Sequence, residues 1–251
     1  LYDLQTDKPI PLVPRDRRLE VQERMLFDGT VEQAPDEVEI RAQARKLRKM
    51  GVEAAAVCFL YSFIDPAHEA RVVAILEEEL CSAFITASHR VCPEFREFER
   101  LSTTVVNAFL GPVMKGYLSK LTPRLSEAGI DAVPHITQSN GGTITFETAA
   151  ILPVRTVLSG PSTGVVGALE TGRTVGTKDI ITFDMGGTST DVSLIQGSRP
   201  ETTTEAIVHG YPLKVPMIDI HTVGAGGGSI AYVDSGGFLK VGPRSAGAAP
   251  G

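Results

Sequence analysis

Ile180-Ile181-Thr182-Phe183-Asp184-Met185-Gly186-Gly187-Thr188-Ser189-Thr190-Asp191-Val192-Ser193-Leu194-Ile195 is the stretch on which the reading of this chain turns. An apolar β-type run ends on a carboxylate, passes two glycines and three hydroxyl residues, meets a second carboxylate and resumes as a strand. It reads as a phosphate-gripping hairpin. Paired glycines allow positive φ and a close backbone approach, so that main-chain N–H groups converge on an anion. Asp184, at the strand end, could hold a magnesium ion directly or through its waters. A P-loop is a different device, whose glycines run into a helix and carry a Lys before Ser or Thr. A Gly-Gly pair alone also marks an ordinary hairpin turn. The further argument is the polar cluster of Asp184, Thr188, Ser189, Thr190 and Asp191 between segments that read as buried. Such a cluster needs a ligand or a complete internal network.

Around this stretch the composition is that of a globular protein. The chain has 251 residues, 42% hydrophobic and 22% charged, enough for one large or two ordinary domains. A formal charge of -6 with no strong basic cluster argues against nucleic acid or an anionic membrane as partner. The short runs 15–18 and 45–49 read as solvated basic faces. Three cysteines without C-x-x-C spacing fit a reduced, cytoplasmic compartment, and Cys58 reads as a small buried hydrophobe. No signal peptide or bilayer-length apolar run is present. The start Leu1-Tyr2-Asp3 and the end 245–251 suggest a fragment of something longer.

Along the chain, Asp28-Gly29 marks a hairpin. Ile40, Ala44 and Leu47 predict a helix over 36–50 stopped by Gly51, followed by a strand over 54–60. Asp65-Pro66 opens a second helix, a strand follows over 84–88, and helix–strand alternation of this kind implies an α/β layer. A long helix is predicted over 99–125, with Pro112 kinking or dividing it. A strand over 133–138 runs into Asn140-Gly141-Gly142, a turn of the same general type as the one at Gly186. Residues 162–176 read as a helix, and a β-like run over 215–223 ends in Gly224, Gly226, Gly227 and Gly228. One boundary is expected near Ser159, giving lobes 1–158 and 159–251.

Other candidates carry weaker chemistry. Asp219 and His221 fall on one face of a strand by alternation and could reach a ligand together. Gly224 to Ser229 has the spacing G-x-G-G-G-S with no amphipathic helix after it, which is not a Rossmann fingerprint; a flexible loop is the plain alternative. Glu94, Glu97 and Glu99 read as the outward charges of a helix start. No Cys/His cluster suggests zinc.

Taken in order, Asn107-Ala108-Phe109-Leu110, Gln138-Ser139-Asn140-Gly141-Gly142, Ser159-Gly160-Pro161, Phe183 to Asp191 and Thr222 to Ala231 resemble the hydantoinase A family. His68-Glu69 after Pro66 and the closing Ser245-Ala246-Gly247 extend the likeness nearly end to end. The family includes ATP-dependent N-methylhydantoinase, the 5-oxoprolinase large subunits and an acetone carboxylase subunit. The resemblance implies a two-lobed, actin/Hsp70-like (ribonuclease H-like) ATPase of the α/β class, incomplete at both ends. ATP would be held by two phosphate hairpins and an adenosine-binding glycine segment. Asp184, Gly186, Gly187, Thr188, Ser189, Thr190 and Asp191 match the second-lobe hairpin, and Gly224, Gly226, Gly227, Gly228 and Ser229 match the later segment. The first-lobe hairpin has no counterpart here, which implies that the isolated fragment is inactive.

The activity so implied is ATP- and Mg²⁺-dependent opening of a hydantoin or lactam ring through phosphorylation of its carbonyl. Asp184 would orient the metal, Thr188 and Thr190 would hold phosphate, Asp191 would orient the hairpin or the reacting group, and a hydantoinase B-type partner would help complete the opening. Two alternatives stay open. A ketone carboxylase subunit would use the same nucleotide site and would respond to bicarbonate; a non-enzymatic actin-like switch would polymerise or bind peptide with nucleotide.

Overall fold

The computed structural model describes residues 10–247, so Leu1-Tyr2-Asp3 and residues 248–251 lie outside the described residues. Contacts divide the chain into two units, each with its own core. The first takes the chain up to residue 136, then 144–155 and 205–215; the second takes 137–143, 156–204 and everything from 216 on.

The first unit begins with a hairpin of β1 (Arg24–Met25) and β2 (Val31–Gln33), turning at Gly29, whose φ is +86°. Helix α1 (Glu37–Lys49) starts where Asp36 accepts the N–H of Val38 at 3.1 Å, which satisfies one of the orphan donors of the first turn. Next come β3 (Ala54–Val57), α2 (Ala67–Glu79), β4 (Phe84–Ala87), the single turn α3 (Ser88–Val91) and the long α4 (Glu97–Glu127). Strands β3 and β4 pair in parallel, with α2 as their crossover. Ile40 and Ala44 of α1 and Val72, Val73, Ile75 and Leu76 of α2 meet Val57 and Ala87 in one core.

Helix α4 runs unbroken through Pro112, so the expected division there does not occur. A proline crowds the Cβ of the residue before it. That residue is Gly111, which has none, and a Cβ built there would meet the Phe84 ring at 2.3 Å. Asn107, fully buried on α4, has every polar atom occupied: its amide donates to Thr86 Oγ1 and the Ile151 carbonyl, each at 3.1 Å, and its oxygen accepts the Val154 N–H at 3.1 Å. The quoted Asn-Ala-Phe-Leu string is thus a structural rivet of the first unit.

A hairpin of β5 (His135–Thr137) and β6 (Thr143–Thr145) leads to α5 (Phe146–Ile151) and then α6 (Ser159–Val175). After α6 the chain makes β7 (Ile180–Met185), β8 (Thr190–Gln196), β9 (Arg199–Pro200) and β10 (Thr202–Thr203). It then gives β11 (Ala206–Val208) and β12 (Tyr211–Leu213) to the first unit. The remaining strands are β13 (Met217–Ile218), β14 (His221–Val223), β15 (Ser229–Val233) and β16 (Leu239–Ser245). In the second unit β14, β8 and β7 form an antiparallel sheet in that order, with β9 on β8. Val165 and Leu169 of α6 pack on Ile180, Ile195 and Ile218.

Candidate functional site

The predicted hairpin is present. In its register Asp184 lies opposite Asp191, and on the far side of β8 Thr222 lies opposite Asp191. Directly opposed residues share a face. Asp184, Asp191 and Thr222 therefore form a row on the face that carries Ile180 and Ile195, the face packed by α6. Thr222 donates its hydroxyl to Asp191 Oδ1 at 2.6 Å. Like charges directly opposite each other across strands are destabilising, yet neither carboxylate has a cationic partner among the described residues. Both open on a concavity of about 420 Å³ whose other wall includes Pro161, Gly164 and Ala168 of α6.

At the turn, the Gly186 N–H donates to the Ser189 carbonyl at 2.9 Å. The next three N–H groups, of Gly187, Thr188 and Ser189, find no protein acceptor among the described residues. Successive free N–H groups of this kind are an anion-binding arrangement. The glycines do not serve it by positive φ, as the sequence suggested, because neither Gly186 nor Gly187 has one. Their contribution is room: a Cβ at Gly187 would meet nothing within 4 Å. Folding therefore does not demand glycine at this position.

The glycine loop that follows β14 is pressed against this turn. Gly227 and Gly228 donate their N–H groups to the carbonyls of Gly186 and Gly187 at 2.9 and 2.8 Å, and Thr190 donates its hydroxyl to the Ala225 carbonyl at 2.6 Å. Here glycine is obligatory. A Cβ on Gly226 would lie 2.5 Å from the Gly186 carbonyl oxygen and 2.8 Å from the Ser189 nitrogen. The Gly226 N–H is taken by Ser229 Oγ at 2.8 Å. In this arrangement Gly226, Gly227, Gly228 and Ser229 buttress the hairpin with their N–H groups already engaged; among the loop's glycines, only Gly224 keeps an N–H with no protein acceptor among the described residues.

The other sequence candidates are placed differently. Asn140 Oδ1 accepts the Gly142 N–H at 2.9 Å, and the Gly141 N–H goes to the Gln138 carbonyl at 3.0 Å, so both glycine donors of that turn are spent inside it. Gly141 has φ +81°, and a Cβ on it would meet Val166 at 2.8 Å, which makes its glycine a packing requirement under α6. The run over 215–223 is not one strand. Its start, β13, pairs with β10 and its end, β14, with β8, while Ile218 and Ile220 both pack in the α6 core. His221 lies opposite Val192, on the face away from the two carboxylates, and Thr222 takes the place beside them. Strand β7 is also less covered than expected: Ile181, Phe183 and Met185 are 70%, 65% and 53% exposed, because they lie on the sheet face opposite α6. Neither Thr222 nor the buttress was legible in the sequence, since both depend on pairings between segments thirty to forty residues apart.

Residues 100–251 match the model of the hydantoinase/oxoprolinase family, and residues 1–80 match that of the hydantoinase/oxoprolinase N-terminal region. Caprolactamase subunit alpha of Pseudomonas jessenii is 39% identical over 250 residues, which is 100% of this chain and 36% of that protein. The crystal structure of the ATP-dependent caprolactamase from Pseudomonas jessenii superposes with a TM-score of 0.84 at 37% identity, covering 100% of this chain and 36% of the other. A nucleotide-free structure of acetone carboxylase, solved in a study of ATP-dependent acetone carboxylation, superposes with a TM-score of 0.82 at 32% identity, over 95% of this chain and 34% of the other. The chain thus spans about a third of the length of these relatives.

Proposed function

The chain belongs to the hydantoinase/oxoprolinase family, and on that premise we propose that its Asp184–Asp191 hairpin holds the phosphates of Mg-ATP for the opening of a lactam or hydantoin ring. The observation that carries this reading is the join of two uncompensated, opposed carboxylates to a turn with three free N–H groups and an uncrowded glycine. The donor set fits magnesium. That ion takes hard oxygen ligands and uses one or two carboxylates beside phosphate oxygens and water, and the opposed carboxylates supply those oxygens. Magnesium bound there would neutralise the charge that develops on the phosphates.

The chain's own groups then have defined tasks. Asp184 orients the metal, while Asp191, held by Thr222, fixes the geometry of the hairpin. The N–H groups of Gly187, Thr188 and Ser189 and the Thr188 hydroxyl bind the terminal phosphates. Thr190 has its hydroxyl on Ala225 and acts by tying the hairpin to its buttress. Catalysis of this kind is positioning and charge stabilisation. An unactivated lactam is a poor electrophile; transfer of the γ-phosphoryl group to its carbonyl oxygen activates the ring carbon. Water adds there, the C–N bond breaks as the nitrogen takes a proton, and a second water releases phosphate from the resulting acyl phosphate, with the aid of a hydantoinase B-type subunit or domain. In this reading residues 1–158 and 159–251 are parts of the two lobes of an actin/Hsp70-like ATPase, with the hairpin in the second lobe. The similarity to acetone carboxylase supports a second reading, in which the same hairpin serves phosphorylation of a ketone enol and bicarbonate.

Calorimetric titration of Mg-ATP into the protein, beside an Asp184→Ala/Thr188→Ala variant, tests the site. Micromolar binding that the double variant loses is the expected result. Binding left intact in the variant, or none in the complete enzyme, overturns the assignment, and ATP turnover with a lactam against a ketone plus bicarbonate separates the two substrates.

A further inference from the structure

Helix α6 forms one wall of the concavity on which Asp184 and Asp191 open, and its glycines differ in what requires them. A Cβ on Gly172 would meet Ile180 at 2.3 Å and the Thr177 carbonyl oxygen at 2.9 Å, so packing demands glycine there. A Cβ on Gly164 or Gly167 would meet nothing within 4 Å, and neither residue has a positive φ. Both stand in the interior of a 17-residue helix, where glycine weakens the helix relative to alanine. Local folding therefore gains nothing from either. Gly164 lines the concavity of about 420 Å³ and Gly167 does not. The missing side chain at 164 thus leaves open space on the wall across from the two carboxylates.

Few side chains offer this space an open polar group. Thr182 donates its hydroxyl to the Ser193 carbonyl at 3.2 Å and accepts the Ser193 N–H at 3.1 Å, and Ser193 donates its own hydroxyl to the Asp219 carbonyl at 2.7 Å. With these hydroxyls engaged in the sheet, two groups stay without a protein donor among the described residues: the Asp184 carboxylate and Oδ2 of Asp191, whose Oδ1 is taken by Thr222. Both are acceptors only. The rest of the lining includes Pro161, Val165, Ala168, Ile180 and Ile220. A nucleobase with its ribose carries donors and acceptors on several edges and meets only acceptors at one end of this space. A small ring with a single donor matches it.

We propose that this concavity holds the ring of the cyclic amide, its N–H donated to Asp191 Oδ2 and its bulk lodged in the room left by Gly164; the proposal rests on the Mg-ATP reading of the hairpin. Directly opposed residues carry their Cβ atoms about 5 Å apart, so Asp184 and Asp191 are neighbouring acceptors in one row. In a small lactam the ring forces the amide to be cis, and N–H and C=O lie on one edge. A lactam that donates to Asp191 therefore turns its carbonyl oxygen the same way, toward a metal on Asp184. An open-chain secondary amide is trans, with N–H and C=O on opposite edges, and cannot make both contacts. The carboxylate row thus selects the ring as well as the amide. A ketone, which has no N–H, forgoes the contact with Asp191.

Calorimetry on the complete enzyme, with magnesium and a non-hydrolysable ATP analogue, tests this without turnover. Caprolactam, 5-oxoproline and hydantoin are the probes, each beside its N-methylated analogue, which lacks the N–H, with N-methylhexanamide as the open-chain amide. At least one ring should bind, and its N-methylated and open-chain counterparts should bind about tenfold or more weakly. Gly164→Leu should weaken binding of that ring about tenfold or more and leave nucleotide affinity unchanged. Gly164→Ala should do so to a smaller degree while raising the melting temperature, and Gly167→Leu should keep wild-type affinity for the ring. Binding of none of the three rings, equal binding of a ring and its N-methylated analogue, or wild-type ring affinity in Gly164→Leu overturns the proposal. So does a loss of nucleotide affinity in Gly164→Leu, which would put the nucleoside in the concavity. Failure of the wild-type enzyme to bind Mg-ATP overturns the nucleotide reading instead, and the proposal falls with it.

Discussion

Gly187 and Gly226 carry the same side chain for opposite reasons, and substitution separates them. A Cβ on Gly187 meets open space at an ordinary φ, so Gly187→Ala should leave the unfolding free energy within about 0.5 kcal/mol of wild type. It should still weaken Mg-ATP binding tenfold or more, because the added methyl group fills the room above the free N–H groups of the turn. A Cβ on Gly226 meets main-chain atoms at 2.5 and 2.8 Å that cannot step aside. Gly226→Ala should cost about 1–3 kcal/mol, as overpacking does, and lose binding as a consequence of lost structure. Thermal denaturation beside calorimetry reads both; equal stability losses in the two variants would sink the distinction. The sequence made the hairpin legible because the strand–carboxylate–glycine order is local. It did not give the reason for the glycines: the contact of Gly226 with Gly186 joins residues forty apart, and nothing local announces it. Alternation likewise set His221 and Asp219 on one face without showing which face meets the hairpin; the pairing of β14 with β8 brings Thr222, not His221, to the carboxylates.

Most helices and strands were readable because their signals are local: Asp36 and Asp65 each accept the N–H two residues on, where the helices were expected to begin. Pro112 does not divide α4, for a reason one residue away, the missing Cβ of Gly111. What ties one element to another was not readable. Arg41 of α1 reaches Glu37 at 3.0 Å on its own helix and Glu78 and Glu79 of α2 at 2.7 and 3.1 Å, while Arg71 of α2 pairs with Glu37. The Arg71 and then the Arg41 hydrogen bonds hold the Glu37 carboxyl below its ordinary value of 4.5. With the folded value depressed, the unfolded chain binds more protons in the window just below pH 4.5. The contribution of the clasp is present above that pH and is lost as the pH falls through the folded value. Glu37→Gln should therefore flatten the decline of the urea midpoint below pH 4.5, with only a small effect at pH 7 because the pair is exposed. An unchanged acid slope would mean that the clasp does not act on stability.

At the scale of the molecule, the class was legible from the alternation of helix and strand, but the division of the chain was not. Residues 205–215 return to the first unit and residues 137–143 belong to the second, and these exchanges follow from packing rather than from any composition shift. The first unit buries Ile75 and Leu76 with the α1 face, and the second buries Ile195 and Ile218 under α6. Two separate cores imply two cooperative bodies, whose local opening energies need not move together. Ile195→Ala removes a side chain that is 1% exposed and should cost about 2–5 kcal/mol within its own unit. Hydrogen exchange followed by mass spectrometry should then show faster exchange in β7, β8 and α6, while the amides of α1, α2 and β4 keep their wild-type protection. Ile75→Ala should give the mirror image. Uniform acceleration across the chain in either variant would mean that the cores unfold as one, and that the Asp184–Asp191 hairpin cannot loosen without the first core loosening with it. Independent exchange would leave the hairpin free to be tuned by substitutions in its own unit.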